Sequence, residues 1–314
     1  MENETKKEKN LPPIVSIIIV AALISGAWIY TARLKSQEIL WHPARLNPQD
    51  EISLKNGTEL PVRWGDMGVK MTEAGVIDKE KFENLYSGRG GLSESDKKLL
   101  YNSDNGNLVI NSENSGVMLN MLWALGLGNK NPILTEGPMV TYGDAGLPAD
   151  LSAKTSVTAE ALAKAGNFAS TGGWTLAKGN AMAHYGMHSF ITLTPEQQML
   201  IEKVSKDIYR PCCDNSTYFP DCNHGMAMLG LLELMASQGV SETDMYKVAL
   251  QVNTLWFPGQ YKAVAVFFKS KNMDWNTADP KKILSAEFSS ASGYQGVLSQ
   301  IQPQEQKGGG SCGA

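Results

Sequence analysis

An uncharged, apolar segment near the N-terminus constrains this chain more than any other feature. Residues 10–32 read NLPPIVSIIIVAALISGAWIYTA and contain no charged side chain. A helix of about 20 apolar residues spans a bilayer, and Trp28 and Tyr30 follow the most apolar part, where aromatic side chains meet the membrane interface. The sequence therefore predicts a transmembrane anchor. A cleaved signal peptide is the alternative, because Ser25 and Ala27 place small residues where a signal peptidase cuts.

The basic residues on the two sides of this segment do not decide its orientation. Three lysines precede it, and Arg33, Lys35 and Arg45 follow it, so the positive-inside rule gives nearly equal counts. The short N-terminal tail and the large C-terminal body favour a signal anchor with the body exported. We expect a single-pass membrane protein whose C-terminal domain is extracytoplasmic, with the membrane as its first partner.

Composition narrows the function classes. The formal net charge is −4, with 42% hydrophobic and 19% charged residues, so no basic surface indicates nucleic acid as a partner. The chain carries no P-loop, no G-x-S-x-G and no G-x-G-x-x-G in a strand–helix setting, so the common NTPase, hydrolase and dinucleotide classes lack support. C-x-x-C-H is also absent, which excludes covalent c-type haem. Whether the protein is an enzyme stays undetermined.

The predicted fold class is mainly α, a transmembrane helix followed by a multi-helix globular domain with a Cys/His-rich loop. About 270 residues follow the anchor, which is enough for one large domain. The predicted divisions are a tail and anchor (1–35), a juxtamembrane helix and linker (36–58), the helical domain (59–302) and a flexible Gly-rich tail carrying Cys312 (303–314).

Helix signals recur through the domain. Side chains that favour N-cap positions precede several periodic segments, at Ser93, Thr158, Thr194 and Ser241. Residues 64–75 are predicted as one helix that ends at Gly75.

Other segments follow from their apolar content. Residues 114–129 and 225–239 are apolar nearly all round, which is typical of buried helices. Residues 261–268, YKAVAVFF, fit either a strand or a helix, and residues 279–301 are predicted as one final helix.

One loop concentrates the reactive side chains. Residues 210–225, RPCCDNSTYFPDCNHG, hold three of the four cysteines and one of the four histidines. Cys212, Cys213, Cys222 and His224 form the pattern C-C-x8-C-x-H, and three thiolates with one imidazole are the complement of a closed tetrahedral zinc site. The pattern predicts a metal site, with zinc as the first candidate and copper as a less favoured one.

Two other interpretations of the loop stay open. In an oxidising compartment the thiols form a structural disulfide, and Cys222 with Cys212 or Cys213 is the favoured pair, because adjacent residues lie about 3.8 Å apart, below the usual bridge range of about 4.4–6.8 Å. The thiols could instead form a redox site with Cys312, which a flexible Gly-rich tail carries to them.

A histidine pair is the secondary metal candidate. His184 and His188 lie in NAMAHYGMHSF, and on a helix this i, i+4 spacing would place both rings on one face. Met182 and Met187 beside them suit copper(I). The alternative is that both histidines only satisfy local polar groups.

The layout of residues 209–258, a Cys-rich loop, an apolar helix and then QGVSETDMYK, resembles cytochrome c-type biogenesis thiol proteins of the CcmH kind. In that family a helical hairpin carries a redox C-x-x-C. The layout is also similar to exported Cys/His-rich proteins named for a PCYCGC motif. The resemblance implies an exported, membrane-anchored protein with thiol or metal chemistry. This chain has C-C and no C-x-x-C, so neither family's redox pair carries over to its residues.

Overall fold

The structure is a computed structural model that describes residues 57–142 and 158–301. The predicted anchor (1–35), nearly all of the linker (36–58) and the tail with Cys312 (303–314) lie outside the described residues. Within the described ranges, no helix combines the length and apolar character that crossing a membrane requires.

The described chain is mainly helical, as predicted, and includes one two-stranded sheet. The strands are β1 (Thr58–Gly65) and β2 (Asn105–Ile110). The helices are α1 (Met67–Ala74), α2 (Lys79–Ser87), α3 (Glu94–Tyr101), α4 (Ser115–Gly128), α5 (Pro132–Thr135), α6 (Pro138–Thr141), α7 (Ala159–Ala165), α8 (Pro195–Asp207), α9 (Asn223–Ser237), α10 (Glu242–Trp256), α11 (Pro258–Ser270), α12 (Pro280–Ile283), α13 (Ala286–Ser289) and α14 (Ala291–Ile301), with a 3-10 turn at Ala181–Ala183.

The sheet is a correction to the sequence prediction. β1 and β2 pair antiparallel, although no strand is predicted in either segment. Leu60, Val62 and Trp64 alternate with exposed residues and are fully buried, which is the two-residue period of a half-buried strand. The helix predicted over residues 64–75 therefore begins only at Met67.

The predicted buried helices, α4 and α9, cross at the centre of the core. A Cβ on Gly126 would overlap the carbonyl oxygen of Met226, and one on Gly230 would overlap that of Leu122. The two glycines therefore let the backbones approach each other closely. The site loop lies at the N-terminal end of α9, so this packing fixes the helix that carries Cys222 and His224.

The predicted helix boundaries rest on local bonds. The predicted N-caps each accept a hydrogen bond from a backbone N–H of the first turn, at Ser93, Thr158, Thr194 and Ser241. Thr194 also forms a capping box with Gln197. Gly75 ends α1 in the left-handed region at φ 82°, a conformation that glycine adopts at little cost.

Two C-terminal segments resolve the remaining predictions. Residues 261–268 belong to the helix α11, so the helical alternative is correct. The single helix predicted over residues 279–301 is wrong, because the segment breaks into α12, α13 and α14. Serine side chains bond backbone carbonyls at the breaks, Ser289 to Ile283 at 2.6 Å and Ser290 to Ala286 at 2.8 Å, and such bonds compete with a continuous helix.

Candidate metal centre

The Cys/His-rich loop connects α8 to α9 and is held at both sides by backbone bonds. The N–H of Thr217 donates to the carbonyl of Ile208 at 2.8 Å. The first residues of α14 bind the other side: the N–H of Ala291 donates to the carbonyl of Cys213 at 3.0 Å, and that of Ser292 donates to Oδ1 of Asp214 at 2.7 Å. The C-terminal helix therefore fixes the backbone around Cys213.

The three cysteine sulfurs of the loop lie close together. Sγ of Cys222 is 3.5 Å from that of Cys212 and 3.9 Å from that of Cys213. Two thiolates on one tetrahedral zinc ion, each about 2.3 Å from it, are about 3.8 Å apart. A disulfide needs about 2.05 Å, and the cysteines of the described chain are free thiols. The predicted disulfide-stapled loop is therefore not what the structure contains.

His224 completes a three-residue group. The ligand atoms of Cys212, Cys222 and His224 all lie within 4.8 Å of one another. The ring packs against Phe257 at 4.4 Å and Trp256 at 5.7 Å between centroids. Its Nδ1 is buried without a hydrogen-bond partner among the described residues, and an unsatisfied buried nitrogen is costly. This donor set therefore suits a cation.

Cys213 belongs to a second group rather than to the first. Its sulfur lies within 4.8 Å of ligand atoms of Asp221 and Cys222. It also lies 3.9 Å from the carbonyl oxygen of Asn215. The four predicted ligands thus occupy one loop, but they form two overlapping groups that share Cys222.

Arg210 is the residue of this site that the sequence interpretation missed. Its side chain is 1% exposed. Nε donates to Sγ of Cys222 at 3.0 Å and Nη2 to Oδ1 of Asp221 at 2.7 Å. Nη1 donates to the carbonyl of Asn215 at 2.8 Å. A buried arginine needs such acceptors for its donors. The sequence signal that could have identified Arg210 is its position directly before the Pro-Cys-Cys run.

The N-terminus of α9 makes room for this guanidinium. A Cβ on Gly225 would lie 2.5 Å from Cζ of Arg210, so a larger residue there would displace the guanidinium from its hydrogen bonds. The N–H of Gly225 also points to Sγ of Cys222 at 3.5 Å, which makes this sulfur the N-cap of the helix. A helix N-terminus and an adjacent cation both favour a thiolate.

The pKa values of the three thiols are shifted in different directions. The pKa of Cys222 is lowered, because the thiols of Cys212 and then Cys213 donate to its sulfur, with His224 and the charge of Arg210 adding to the effect. The pKa of Cys212 is raised by its hydrogen bonds with Cys213 and Cys222 and by burial. The hydrogen bond from Cys212 lowers the pKa of Cys213. The hydrogen bond between Cys213 and Cys222, together with burial, has the larger opposite effect and raises the pKa of Cys213 to about 11.

Comparison with protein-family models, with curated proteins and with solved structures finds no match for this chain. The resemblance of residues 209–258 to exported thiol proteins stays a prediction.

The secondary metal candidates do meet, but not on a helix. Gly186, at φ 63°, separates the 3-10 turn from His188. Nδ1 of His184 lies 3.1 Å from Nε2 of His188, and its Nε2 lies 3.0 Å from the carbonyl oxygen of Lys178. Both ring nitrogens of His184 therefore have partners. Within the described ranges, no third Cys, His, Asp or Glu completes a metal-binding group with this pair.

Proposed function

We propose that this chain is a membrane-anchored, exported protein that binds a metal ion through its C-C-x8-C-x-H loop, in a structural or metal-handling role. The observation that carries the proposal is the convergence of Cys212, Cys222 and His224, with ligand atoms within 4.8 Å of one another. The buried Nδ1 of His224, which has no partner among the described residues, adds to it, because a metal ion bound through this nitrogen would satisfy it.

The donor types favour zinc. Thiolate sulfur and imidazole nitrogen bind zinc and copper(I), whereas magnesium and calcium require oxygen donors. Arg210, Asn215 and Asp221 are mutually bonded around the sulfurs, and outer partners of this kind orient ligands.

The proposed location rests on the sequence of residues 10–32. Cysteine labelling of intact cells with a membrane-impermeant reagent tests which side carries the domain, and fractionation tests the anchor. Export predicts labelling without lysis. Release of the protein from the membrane fraction would instead indicate a cleaved segment.

The metal proposal is tested on the full-length, detergent-purified protein with its thiols reduced. Elemental analysis should find about one zinc ion per chain, since one group of this kind holds one ion. Cys222→Ser and His224→Ala should both lose it, and His188→Ala, which changes a histidine outside the loop, is the matched control. A wild-type chain that retains no metal after loading and desalting would reject the proposal.

A thiol–disulfide redox role is the second candidate function. It is favoured by the exposed thiol of Cys212, whose sulfur lies 3.5 Å from that of Cys222. A thiolate would attack an external disulfide and release one thiol, and the second cysteine would then displace the other thiol to close a Cys212–Cys222 bond. Cys312, outside the described residues, is a proposed exchange partner.

The pKa values and exposure of the thiols make the redox role the second candidate. The accessible cysteine is Cys212, whose pKa is raised, while the sulfur that favours the thiolate, Cys222, is only partly exposed. Metal-free protein titrated with glutathione disulfide tests the role. Mass mapping should then find the Cys212–Cys222 bond, with Cys213→Ser unaffected and Cys312→Ser showing whether the tail takes part.

A further inference from the structure

Among the described residues, the converging group supplies three protein ligands. Zinc in a closed structural site takes four protein ligands, whereas an open site has three and one exchangeable ligand. Cys213 and Asp221 are the nearby candidates for a fourth position, since each lies in the second group that shares Cys222. Which kind of site this is depends on whether either side chain is free to join.

The sulfur of Cys213 lies 3.9 Å from that of Cys222, but Cys213 is not in the group of ligand atoms that lie within 4.8 Å of one another around His224. The carbonyl of Cys213 accepts from Ala291 at 3.0 Å, and its N–H donates to the carbonyl of Arg210 at 3.3 Å. Its sulfur lies 3.9 Å from Oδ1 of Asp221, so the thiol is directed to that side of the loop. Joining the first group would require the side chain of Cys213 to turn from Asp221 towards His224.

Both carboxylate oxygens of Asp221 already accept hydrogen bonds, so this side chain is held more firmly than that of Cys213. Oδ1 accepts from Nη2 of Arg210 at 2.7 Å, and Oδ2 accepts from Nδ2 of Asn215 at 2.8 Å. Moving this carboxylate onto a metal ion would leave the almost fully buried guanidinium without its anion, and breaking such a pair is strongly unfavourable.

Charge and access both allow an external ligand. A divalent ion with the thiolates of Cys212 and Cys222 is neutral, and the pair of Arg210 and Asp221 is neutral too, so an anion is not repelled. Cys212 is exposed, so solutes reach this side of the group. Sulfur donors match the soft character of the ligands already present.

We propose, on the basis of the metal-binding function above, that the fourth position is taken by an exchangeable thiolate from another molecule. The centre is then an open one, suited to passing or presenting a metal ion, and Cys213 is not a ligand. The exposed face beside Cys212 is where the external thiolate approaches.

Cobalt(II) as a zinc substitute tests this on the full-length protein, reduced with a phosphine so that no thiol competes. Titration with 2-mercaptoethanol should raise the sulfur-to-cobalt charge-transfer absorbance saturably by about one half, since a third thiolate joins two. Cys213→Ser should bind cobalt within about threefold of wild type and show the same rise, whereas Cys222→Ser should lose at least about 100-fold in affinity.

The outcomes separate this inference from the function on which it rests. Cobalt that binds without a saturable rise would overturn the external thiolate, and a Cys213→Ser variant that loses affinity as Cys222→Ser does would indicate a closed centre with Cys213 as the fourth ligand. A wild-type protein that binds no cobalt would overturn the metal-binding function itself.

Discussion

The Nε–H of Arg210 donates a hydrogen bond to Sγ of Cys222 at 3.0 Å. This contact joins a side chain that is 1% exposed to the sulfur shared by both ligand groups. Because the guanidinium also bonds Asn215 and Asp221, one buried cation organises the loop and stabilises a thiolate at the same time. The loop therefore has an internal positive charge that does not depend on a metal ion.

Arg210→Met should lower the free energy of unfolding by about 3–5 kcal/mol, because it leaves a largely buried carboxylate without its partner. The matched control is Lys281→Met, which breaks the exposed pair of Lys281 and Asp207 and should cost less than about 1 kcal/mol. Urea denaturation of both variants measures the difference. Equal costs would mean that Arg210 does not organise the loop.

Glu233 should make stability depend on pH. It is fully buried in α9, Oε1 accepts from Asn131 at 2.6 Å, and Oε2 has no partner among the described residues. Burial raises its pKa well above the ordinary 4.5, so the folded chain keeps a proton that the unfolded chain releases. Its contribution to stability is complete below pH 4.5 and declines by up to about 1.4 kcal/mol per pH unit above it, until the folded pKa is passed.

Glu233→Gln removes this titration. As the pH rises above 4.5, the variant should therefore gain stability relative to wild type. Thermal denaturation across a pH series measures it. Glu80→Gln, which changes an exposed carboxyl on α2, is the control. A pH-independent difference for Glu233→Gln would show that the buried carboxyl is not protonated in the folded chain.

Gly126→Ala should destabilise the protein by about 1–3 kcal/mol, because the added methyl group overlaps the backbone of α9 at Met226 and forces the helices apart. Gly296→Ala is the opposite case, since a Cβ there meets nothing within 4 Å. In the interior of α14 that change should stabilise by up to about 1 kcal/mol. Guanidinium denaturation distinguishes the two signs, and a Gly126→Ala variant as stable as wild type would contradict the close helix crossing.

His188 should lower stability as the pH falls. Its pKa is lowered by burial and then by the neighbouring His184 and Lys130. A depressed folded pKa means that stability is complete above the ordinary 6.5 and is lost as the pH falls through the folded value, because the unfolded chain takes up the proton more readily. His188→Asn should flatten this dependence between neutral and mildly acidic pH in thermal denaturation. An unchanged slope would mean that the titration of His188 does not govern this pH dependence.

Local patterns in the sequence predict most of the helices. Thr194, Pro195 and Gln197 form a complete N-terminal signal within four positions, and α8 begins there. The hydrogen bonds of a helix and its caps join near neighbours in the chain, so the residues that decide them are read together. The same holds for the composition of α4 and α9, whose apolar surfaces predict burial.

The sheet and the broken C-terminal segment depend on distant partners. Trp64 is buried in β1 and its Nε1 donates to the carbonyl of Leu99 at 2.8 Å, a bond that no pattern around Trp64 reveals. Ser289 ends a helix where its hydroxyl meets Ile283 and Tyr261. Such contacts form only when the chain is packed.

At the site, the sequence alone determined which donor atoms share one loop, because the three cysteines and the histidine lie within residues 212–224, which follow Pro211 directly and contain Pro220 and no helical pattern. Only the tertiary structure decided how these donor atoms divide into two ligand groups. Residues of α14 hold the backbone of Cys213, Arg210 pairs with Asp221, and neither side chain belongs to the group that includes His224. The physical reason is that a buried cation must be paired and a buried carbonyl must be bonded, and the groups that meet these needs come from elsewhere in the fold.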